Sequence, residues 1–462
     1  MSDATSAEEL SVSFVPALFL QRRGWVFDQM RRAGVTQVID IGCGEGETVA
    51  CLCNPAPWRG PLRLACADGT STVQDMLHIH TIHALDVELG EVRRAADAAA
   101  PPADPWFTRW EPLDVTLWHG GLEAYNAAFV GAECIVSTEV IEHLPEDVLA
   151  EFAPLLLGVY HPQLLLLTTP SYDFNARFTA PDAPPTARRG TRDPTGRTAR
   201  VFRHSDHKFE WTRTEFRAWC DAAASEWGYD VDVSGVGRAQ ENDPFGRDDA
   251  LGPASQVAAF RRRDGDEAVN ARAAKSEDAL RRAQAGTVHS LVATHHHDAC
   301  GVSSTSDLAE ISNIVKERMQ QWQETSVTVH EIWFDKDIDK LCAGALDLFV
   351  SALEQDPALS VSRSGERVLE WAIQFHELVL VDPDTKEDVM AEPTEASEPE
   401  SDPDDEEVQT PPNNWKGWQP ASMAETDSKL STPGWGNTWQ ASGEGAWGAR
   451  DSAEDSSKGA GW

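Results

Sequence analysis

Two acidic and two imidazole side chains stand in motifs whose residue types could together hold a divalent metal ion. Glu139, Glu142 and His143 follow the apolar run 134–137. If a helical turn begins there, the three side chains occupy positions i, i+3 and i+4 and share one face. Downstream, His207 is a candidate fourth ligand. The alternative interpretation is that the two glutamates are charges at a helix start and that His143 is a surface histidine.

The donor types in this set favour some metals over others. Two carboxylates and two imidazoles suit Mn²⁺, Co²⁺ or Fe²⁺ better than Mg²⁺, which prefers oxygen ligands alone. A structural zinc site would more often contain cysteine. We expect one divalent cation, magnesium or manganese. Either imidazole, His143 or His207, could act in catalysis as a proton acceptor if it is not fully committed to the metal.

A second motif upstream has the form of a ligand-binding turn. The apolar run 38–41 contains Asp40 and leads into a turn with three glycines at alternating positions, Gly42, Gly44 and Gly46. Glycine lets the backbone bend sharply and approach a ligand, and the following helix offers unpaired N–H groups. Asp86, just after the apolar run 81–85, is expected to bind the hydroxyls of a ribose. The alternative interpretation is that it only caps the next helix. Asp86 lies further downstream than usual, so residues 54–76 would form an inserted loop.

The elements that must position these residues follow an α/β pattern. Short apolar runs of strand type are separated by stretches of helix length, at 38–41, 81–85, 134–137, 164–168 and 256–260. This alternation predicts a mostly parallel sheet flanked by helices over residues 12–263. Residues 266–385 place apolar side chains at helical spacing and predict a small, mostly helical accessory domain. Residues 388–462 are acidic, rich in Pro, Ser and Gly and poor in aliphatic side chains, so we expect a disordered tail.

Composition excludes several functional classes. No apolar run approaches the ~20 residues that a membrane-spanning helix needs, which excludes a membrane protein, and the acidic N-terminus is not a secretory signal. A net charge of −37 argues against a protein that coats duplex nucleic acid nonspecifically. Eight scattered cysteines favour a reducing compartment, the cytoplasm and also the nucleus.

The run His295, His296 and His297 lacks matching ligands and is interpreted as a polar surface connection.

These motifs resemble known methyltransferases at two levels. The strand, glycine turn and acid are similar to the first motif of class I S-adenosylmethionine-dependent methyltransferases, whose sheet is a Rossmann relative. Glu139-x-x-Glu142-His143, together with residues 206–213, resembles the small-RNA 3′-terminal 2′-O-methyltransferases of the Hua-enhancer family. Further similar stretches lie at 21–22, 117–120, 169–175 and 235–237. The resemblance covers roughly residues 14–263.

The resemblance implies a class I methyltransferase fold with S-adenosylmethionine as methyl donor, and it adds His119 to the cofactor-binding residues. It implies that the two glutamates and two histidines named above bind the catalytic metal, which holds both hydroxyls of the last ribose of the RNA. One departure is the segment 176–200, which is longer and richer in Arg and Pro than the family pattern. The sequence is also expected to lack the double-stranded-RNA-binding modules of the larger plant-type members.

An acidic enzyme needs a local basic surface to hold RNA. Residues 177–208 carry eight basic side chains against three acidic ones, and Arg22 precedes the first strand. We expect this loop and Arg22 to contact the last phosphates of the substrate, with Arg203 nearest the chemistry and catalytic in role. The other arginines of the loop assigned to RNA are Arg188, Arg189 and Arg192. The alternative is a solvated, flexible loop.

The tail keeps its tryptophans although it lacks aliphatic partners for them. Glycine-flanked tryptophans recur at Trp418, Trp435, Trp447 and Trp462. Each would be a weak anchor because the chain must be ordered on binding, and several on one tether gain from effective concentration. The array resembles Argonaute-binding hooks; the alternative is a composition bias or an unrelated aromatic segment. The expected partners are the 3′ end of a small RNA and an Argonaute or Piwi-type protein, and we expect the chain itself to be a monomer.

Three functions remain open from the sequence. The first is metal-dependent transfer of a methyl group from S-adenosylmethionine to the 2′-hydroxyl of the 3′-terminal ribose of small RNAs held by Argonaute. The second is a noncatalytic Argonaute-binding scaffold with a methyltransferase-like fold, against which the four intact candidate ligands argue. The third is a small-molecule O-methyltransferase, whose acceptor would need an enclosed apolar pocket rather than an arginine-rich loop.

Overall fold

Most of the described chain is built around one eight-stranded sheet. The computed structural model describes residues 9–60, 62, 64, 76–103, 108–183, 187–286, 288–302, 307–335, 338–364 and 367–379. Read from one edge of the sheet to the other, the strands are β10 (Ser290–His297), β3 (Leu113–His119), β2 (Thr81–Asp86), β1 (Gln37–Ile41), β4 (Cys134–Thr138), β5 (Leu164–Pro170), β9 (Ser255–Arg262) and β8 (Tyr229–Val236). The five strands from β3 to β5 are parallel. β9 is antiparallel to both β5 and β8, and β10 is antiparallel to β3.

Helices cover both faces of this sheet. In chain order they are α1 (Leu18–Ala33), α2 (Glu47–Leu52), α3 (Leu89–Ala98), α4 (Glu146–Ala153), α5 (Arg213–Trp227), α6 (Asp248–Leu251) and α7 (Asp266–Gln284). The four consecutive leucines 164–167 of β5 are all buried, because successive strand side chains point to opposite faces and both faces are covered. Leu165 and Leu167 pack in one core with Phe216 of α5. Leu164 and Leu166 pack in another core with Met30 of α1.

The predicted fold class, a class I methyltransferase-like sheet flanked by helices, is confirmed. The apolar runs 38–41, 81–85, 134–137 and 164–168 lie in β1, β2, β4 and β5 in parallel order, and the run 256–260 lies in the antiparallel β9. The parallel strands end at one edge of the sheet, which is where open α/β sheets bind ligands. The glycine turn follows β1 and the glutamate–histidine motif follows β4, so both motifs lie at this edge.

The histidine run interpreted as a polar surface connection is part of β10, and that interpretation is wrong for His297, which is buried. Nε2 of His297 donates to the Ala99 carbonyl at 2.9 Å, and Nε2 of His295 donates to the Ala96 carbonyl at 2.8 Å. Both carbonyls lie at the C-terminal end of α3. The histidines therefore join the edge strand to the neighbouring helix.

A second, smaller core follows β10 in the chain. It contains α8 (Leu308–Trp322), β11 (Ser326–Thr328), α9 (Val329–Trp333), α10 (Ile338–Leu341), α11 (Leu346–Gln355), β12 (Leu359–Ser362) and β13 (Ala372–Phe375), with the strands in the antiparallel order β11-β13-β12. Trp58, Leu62 and Leu64 of the predicted inserted loop are buried in this core. The observed division differs from the predicted boundary at residue 266: β10 belongs to the main sheet, and Ala279 of α7 packs in its core.

The second core is hydrogen-bonded to the main sheet where the parallel strands begin, which is opposite the edge expected to bind ligands. The inserted loop lies between the end of α2 and the start of β2, and therefore at the strand starts. Within it, the Pro57 carbonyl accepts from Trp333 Nε1 at 2.8 Å, and the Arg59 N–H donates to the Gly344 carbonyl at 2.7 Å. The Cys300 N–H donates to the Arg109 carbonyl, just before β3, at 2.7 Å. The accessory core thus stands away from the ends of the parallel strands.

The predicted tail, residues 388–462, lies outside the described residues, as do its four glycine-flanked tryptophans, Trp418, Trp435, Trp447 and Trp462. None of the helices in the described part of the chain has both the length and the apolar character that crossing a bilayer requires.

Candidate active site

Three of the four predicted metal ligands come together at the carboxyl end of β4. One ligand atom each from Glu142, His143 and His207 lies within 4.8 Å of the others. The first two stand in a short 3-10 turn, Ile141–His143, and His207 follows the short strand β7 (Val201–Phe202). The two imidazole ring centroids are 4.9 Å apart, and the Lys208 N–H donates to the Glu142 carbonyl at 2.7 Å. We call Glu142, His143 and His207 the ligand group.

Glu142 has a carboxylate oxygen that a cation would satisfy. Its side chain is fully buried, and Oε2 accepts from the Thr169 hydroxyl at 2.9 Å. Oε1 is buried and has no hydrogen-bond partner in the described part of the chain. Burial, and then the charge of Glu139, raise the pKa of Glu142 well above its ordinary value. A buried oxygen without a partner is costly, so its presence fits a bound cation.

Glu139, the fourth predicted ligand, lies beside the ligand group but is not part of it. Its φ of 55° is left-handed, and the helical turn begins after it, so the three residues do not share one helix face. Its carboxylate pairs with Arg22 and accepts from the Thr168 hydroxyl at 2.8 Å. Arg22, predicted to bind RNA, therefore neutralises Glu139 and also lies 3.5 Å from the Ser255 hydroxyl.

Several residues that hold the ligand group in place were missed by sequence reasoning. Glu210 is buried, and its Oε1 lies 2.7 Å from His207 Nδ1, which leaves Nε2 of that ring for another partner. Asn175 donates to the other oxygen of Glu210 at 2.5 Å. Thr168 and Thr169, adjacent at the end of β5, each hold one glutamate, Glu139 and Glu142 respectively. Glu210 lies in the motif 206–213, and Thr169 and Asn175 lie in the stretch 169–175, but no role was predicted for any of the three.

A cavity of about 280 Å³ lies next to the ligand group, and Asp40, Gly42 and Gly44 line it together with Arg22 and Glu139. Asp40 is buried, and its Oδ1 has no hydrogen-bond partner among the described residues. Burial and the charge of Asp86 raise the Asp40 pKa to about 7, against the lowering effect of Arg23. A ligand with hydrogen-bond donors would satisfy this oxygen. We call this space the donor cavity.

The other predicted cofactor residues, Asp86, Gly46 and His119, are not among the residues that line the donor cavity. Asp86 accepts the Gly44 N–H at 2.9 Å through one oxygen and the Glu88 N–H at 2.9 Å through the other. It therefore supports the glycine turn and also holds the N–H of Glu88, the residue before α3. Gly46, with a φ of 84°, lies against α3, where an added Cβ would come within 2.7 Å of Ala95. His119 Nε2 donates to the Val87 carbonyl at 3.0 Å.

Most of the predicted RNA-binding arginines lie on or near a two-stranded ribbon of β6 (Thr191–Arg192) and β7. Arg203 pairs with Glu9, and its guanidinium lies 3.7 Å from the centre of the Phe178 ring. Arg189 is exposed and lies 3.8 Å from the same glutamate. Arg192 is exposed and has no carboxylate partner in the described ranges. Arg188 lines a separate cavity.

Comparison with known proteins gives the following relatives; no protein-family model matches the chain. The small RNA 2′-O-methyltransferase of Arabidopsis thaliana is 29% identical over 260 residues, which is 56% of this chain and 24% of that protein. The Rattus norvegicus protein of the same name is 29% identical over 258 residues, 56% of this chain and 54% of that protein. The Drosophila melanogaster one is 30% identical over 217 residues, 45% of this chain and 51% of that protein.

A solved structure is similar over a comparable share of the chain. The crystal structure of the small RNA methyltransferase HEN1 is 26% identical and covers 55% of this chain and 26% of that one, with a TM-score of 0.39. This chain spans between 24% and 54% of the length of the Arabidopsis and rat relatives. The resemblance predicted from the motifs is confirmed: over about half of its length, the chain is similar to the small RNA 2′-O-methyltransferases.

Proposed function

We propose that this chain transfers a methyl group from S-adenosylmethionine to the 2′-hydroxyl of the 3′-terminal ribose of small RNAs. The observation that carries the proposal is the convergence of Glu142, His143 and His207 beside the donor cavity. Glu139 links the two, because it lines the cavity and stands three residues before Glu142. The relatives that the chain matches carry the corresponding name.

Two features of the donor cavity suit S-adenosylmethionine: the exposed backbone of the glycine turn and the unpartnered carboxylate oxygen of Asp40. Gly42 and Gly44 both have positive φ, which lets the turn present bare backbone to a ligand. Asp40 Oδ1 offers a buried acceptor to a donor group of the cofactor. Asp86 accepts the Gly44 N–H from outside the cavity, so it fixes the shape of the turn.

The ligand group suits one divalent cation. Glu142, with its unpartnered oxygen, and the two imidazoles would hold it, and imidazole ligands favour Mn²⁺ over Mg²⁺. When bound, the cation would supply Lewis-acid polarisation of a ribose hydroxyl and fix its position. Burial, and then His207 and His204, lower the pKa of His143. Neutral imidazole is the form that binds a cation, and it accepts a proton only when the metal leaves its basic nitrogen free.

The test is transfer of labelled methyl from S-adenosylmethionine to a short synthetic RNA, with and without Mn²⁺. We expect transfer to an RNA with both hydroxyls free on its last ribose, and loss of transfer when that end is 2′-deoxy or 3′-phosphorylated. Equal transfer to the 3′-phosphorylated RNA would contradict recognition of the vicinal hydroxyls. A chain that methylates no RNA end under any condition would instead fit the noncatalytic scaffold or the small-molecule enzyme.

The partner and setting are separate proposals. We propose that Trp418, Trp435, Trp447 and Trp462 anchor an Argonaute or Piwi-type protein that presents the RNA, and that the chain acts as a monomer in the cytoplasm and the nucleus. Replacing all four tryptophans by alanine should weaken binding to a purified, RNA-loaded Argonaute by about 100-fold or more, because multivalent anchors lose their effective concentration together. Methyl transfer to free RNA should be unchanged. Undiminished Argonaute binding by the variant would exclude the tail as the anchor.

A further inference from the structure

An irregular segment, residues 9–14, runs ahead of α1 and is hydrogen-bonded to the main core at both ends. At one end, the Leu10 N–H donates to the Phe178 carbonyl at 2.8 Å. At the other, the Gln240 N–H donates to the Ser13 carbonyl at 2.9 Å. We call this segment the strap. The function proposed above gives it no role.

Glu9, the first described residue of the strap, places its carboxylate beside two arginines that the sequence assigns to RNA. It forms an ion pair with Arg203, and its Oε2 lies 3.8 Å from Nε of Arg189. The Glu9 side chain is only 16% exposed, whereas that of Arg189 is 82% exposed. Guanidinium groups bind carboxylates and phosphates through the same planar set of donors. Glu9 therefore occupies the position at which these two arginines would receive a phosphate of the substrate.

The arginine that Glu9 pairs with lies close to the ligand group. The Arg203 N–H donates to Oε1 of Glu210 at 3.1 Å, and the same oxygen lies 2.7 Å from Nδ1 of His207. The Phe178 ring centre is 3.7 Å from the Arg203 guanidinium, and the carbonyl of Phe178 is the one that accepts from Leu10. The strap is therefore attached to the residue that packs against Arg203. Glu9 and this attachment act on the same arginine.

We propose that the strap is an autoinhibitory contact, in which Glu9 keeps Arg203 and Arg189 from RNA until a phosphate of the strand displaces it. The proposal rests on the proposed function, which supplies the RNA. One guanidinium cannot give the same donors to a carboxylate and a phosphate at once, so the two anions compete. Glu9 belongs to the same chain, and a short tether gives such a group an effective concentration in the millimolar range. RNA affinity is therefore lower than the arginines alone would give, and bound RNA should release the strap.

The first test replaces Glu9 by glutamine, which keeps the shape of the side chain and removes its charge. The probe is a short single-stranded RNA with both hydroxyls free on its last ribose, and its affinity is measured by fluorescence anisotropy. We expect Glu9→Gln to bind this RNA about fivefold more tightly than the native chain, the size of a favourable surface ion pair. In a background where Arg189 and Arg203 are both alanine, the same substitution should leave the affinity unchanged, because the carboxylate then blocks neither guanidinium.

The second test follows the strap itself by hydrogen exchange of the backbone amides, read at Leu10. In the native chain the hydrogen bond to Phe178 protects this amide. We expect faster exchange when saturating RNA is added, because displacement of Glu9 frees the start of the strap. We also expect faster exchange in Glu9→Gln without RNA. Exchange that is unchanged or slower on RNA binding would show that the strap stays in place and would overturn the proposal.

The control variant is Glu241→Gln, which removes the same charge beside the other end of the strap. The Glu241 carboxylate accepts from the Ser13 hydroxyl at 3.1 Å and pairs with no arginine in the described ranges. This variant should bind RNA as the native chain does. Equal or weaker binding by Glu9→Gln would contradict autoinhibition, and weaker binding would assign Glu9 to positioning Arg203. A native chain that binds RNA without methylating it would contradict the proposed function, and the affinity ratio and the exchange rates would still decide the role of the strap.

Discussion

Replacing Glu142 by glutamine is expected to abolish methyl transfer and cation binding together. The variant keeps the shape of the side chain but removes the only carboxylate of the ligand group. Loss of a residue that merely supports a metal ligand costs about 10–100-fold in metal affinity, so loss of the ligand itself should exceed that. Mn²⁺ titration followed by electron paramagnetic resonance measures the affinity without requiring turnover. Native Mn²⁺ affinity in the variant would contradict the assignment of Glu142 as a ligand.

The same substitution should leave the metal-free protein at least as stable as before. Burial raises the pKa of Glu142, so the folded chain holds this proton more tightly than the unfolded chain. For a carboxyl whose pKa is raised on folding, stability is present at low pH and is lost as pH rises above the ordinary carboxyl value. Glutamine cannot ionise, so the melting temperature of the metal-free variant at pH 7 should equal or exceed that of the native chain. A matched control is Glu151→Gln on the surface of α4, where the glutamate pairs with Arg282.

The sequence predicts the central strands and the edge at which the site forms. Apart from Asp40 and Thr168, the runs 38–41 and 164–168 are apolar because both faces of those strands are covered, and such runs are recognisable without a partner. β10 is different: it is an edge strand with three consecutive histidines, so it shows neither an apolar run nor clean alternation. Its assignment depends on its pairing with β3, about 180 residues away, which no local pattern reveals.

The ligands of the candidate site were predictable from their two motifs, but the contacts that hold them in place across the chain were not. The ligand group was found because glutamate and histidine at such positions are common metal ligands. The pairing of Arg22 with Glu139 joins residues far apart in the chain, and Asn175 reaches Glu210 from the segment after β5. These contacts depend on packing, so the sequence could name Arg22 as a basic residue but not assign its partner.

The inserted loop illustrates the same limit for domain organisation. Its length was evident from the late position of Asp86, but Trp58 stands among prolines and polar residues that indicate only an irregular segment. In the structure Trp58 is 1% exposed and packs in the accessory core, which begins some 250 residues later with α8. The accessory core is thus built from two distant parts of the chain, and a boundary drawn along the sequence does not separate them.

Replacing Gly42 by alanine is expected to damage the donor cavity and the ligand group in one step. Gly42 has a φ of 75°, and a Cβ there would stand 2.3 Å from Cγ2 of Val140. Valine is stiff at its first side-chain torsion, so the backbone must move instead. Val140 lies between Glu139 and the turn that carries Glu142. A displacement of about 1 Å at such a site costs on the order of 100-fold in rate, and S-adenosylmethionine binding by calorimetry should weaken as well.

Two further variants separate the steric clash from the cost of placing alanine in a left-handed conformation. Gly44 also has a positive φ, 52°, but an added Cβ would meet nothing within 4 Å. Within the protein, Gly44→Ala therefore carries only the conformational cost, about 1–2 kcal/mol; because Gly44 lines the donor cavity, its effect is expected on S-adenosylmethionine binding and not on the Mn²⁺ affinity of the ligand group. Adding Val140→Ala to Gly42→Ala removes the clashing methyl group and should restore most of the lost rate. If the double variant were as impaired as Gly42→Ala alone, contact between the glycine turn and Val140 would not be what couples the two parts of the site.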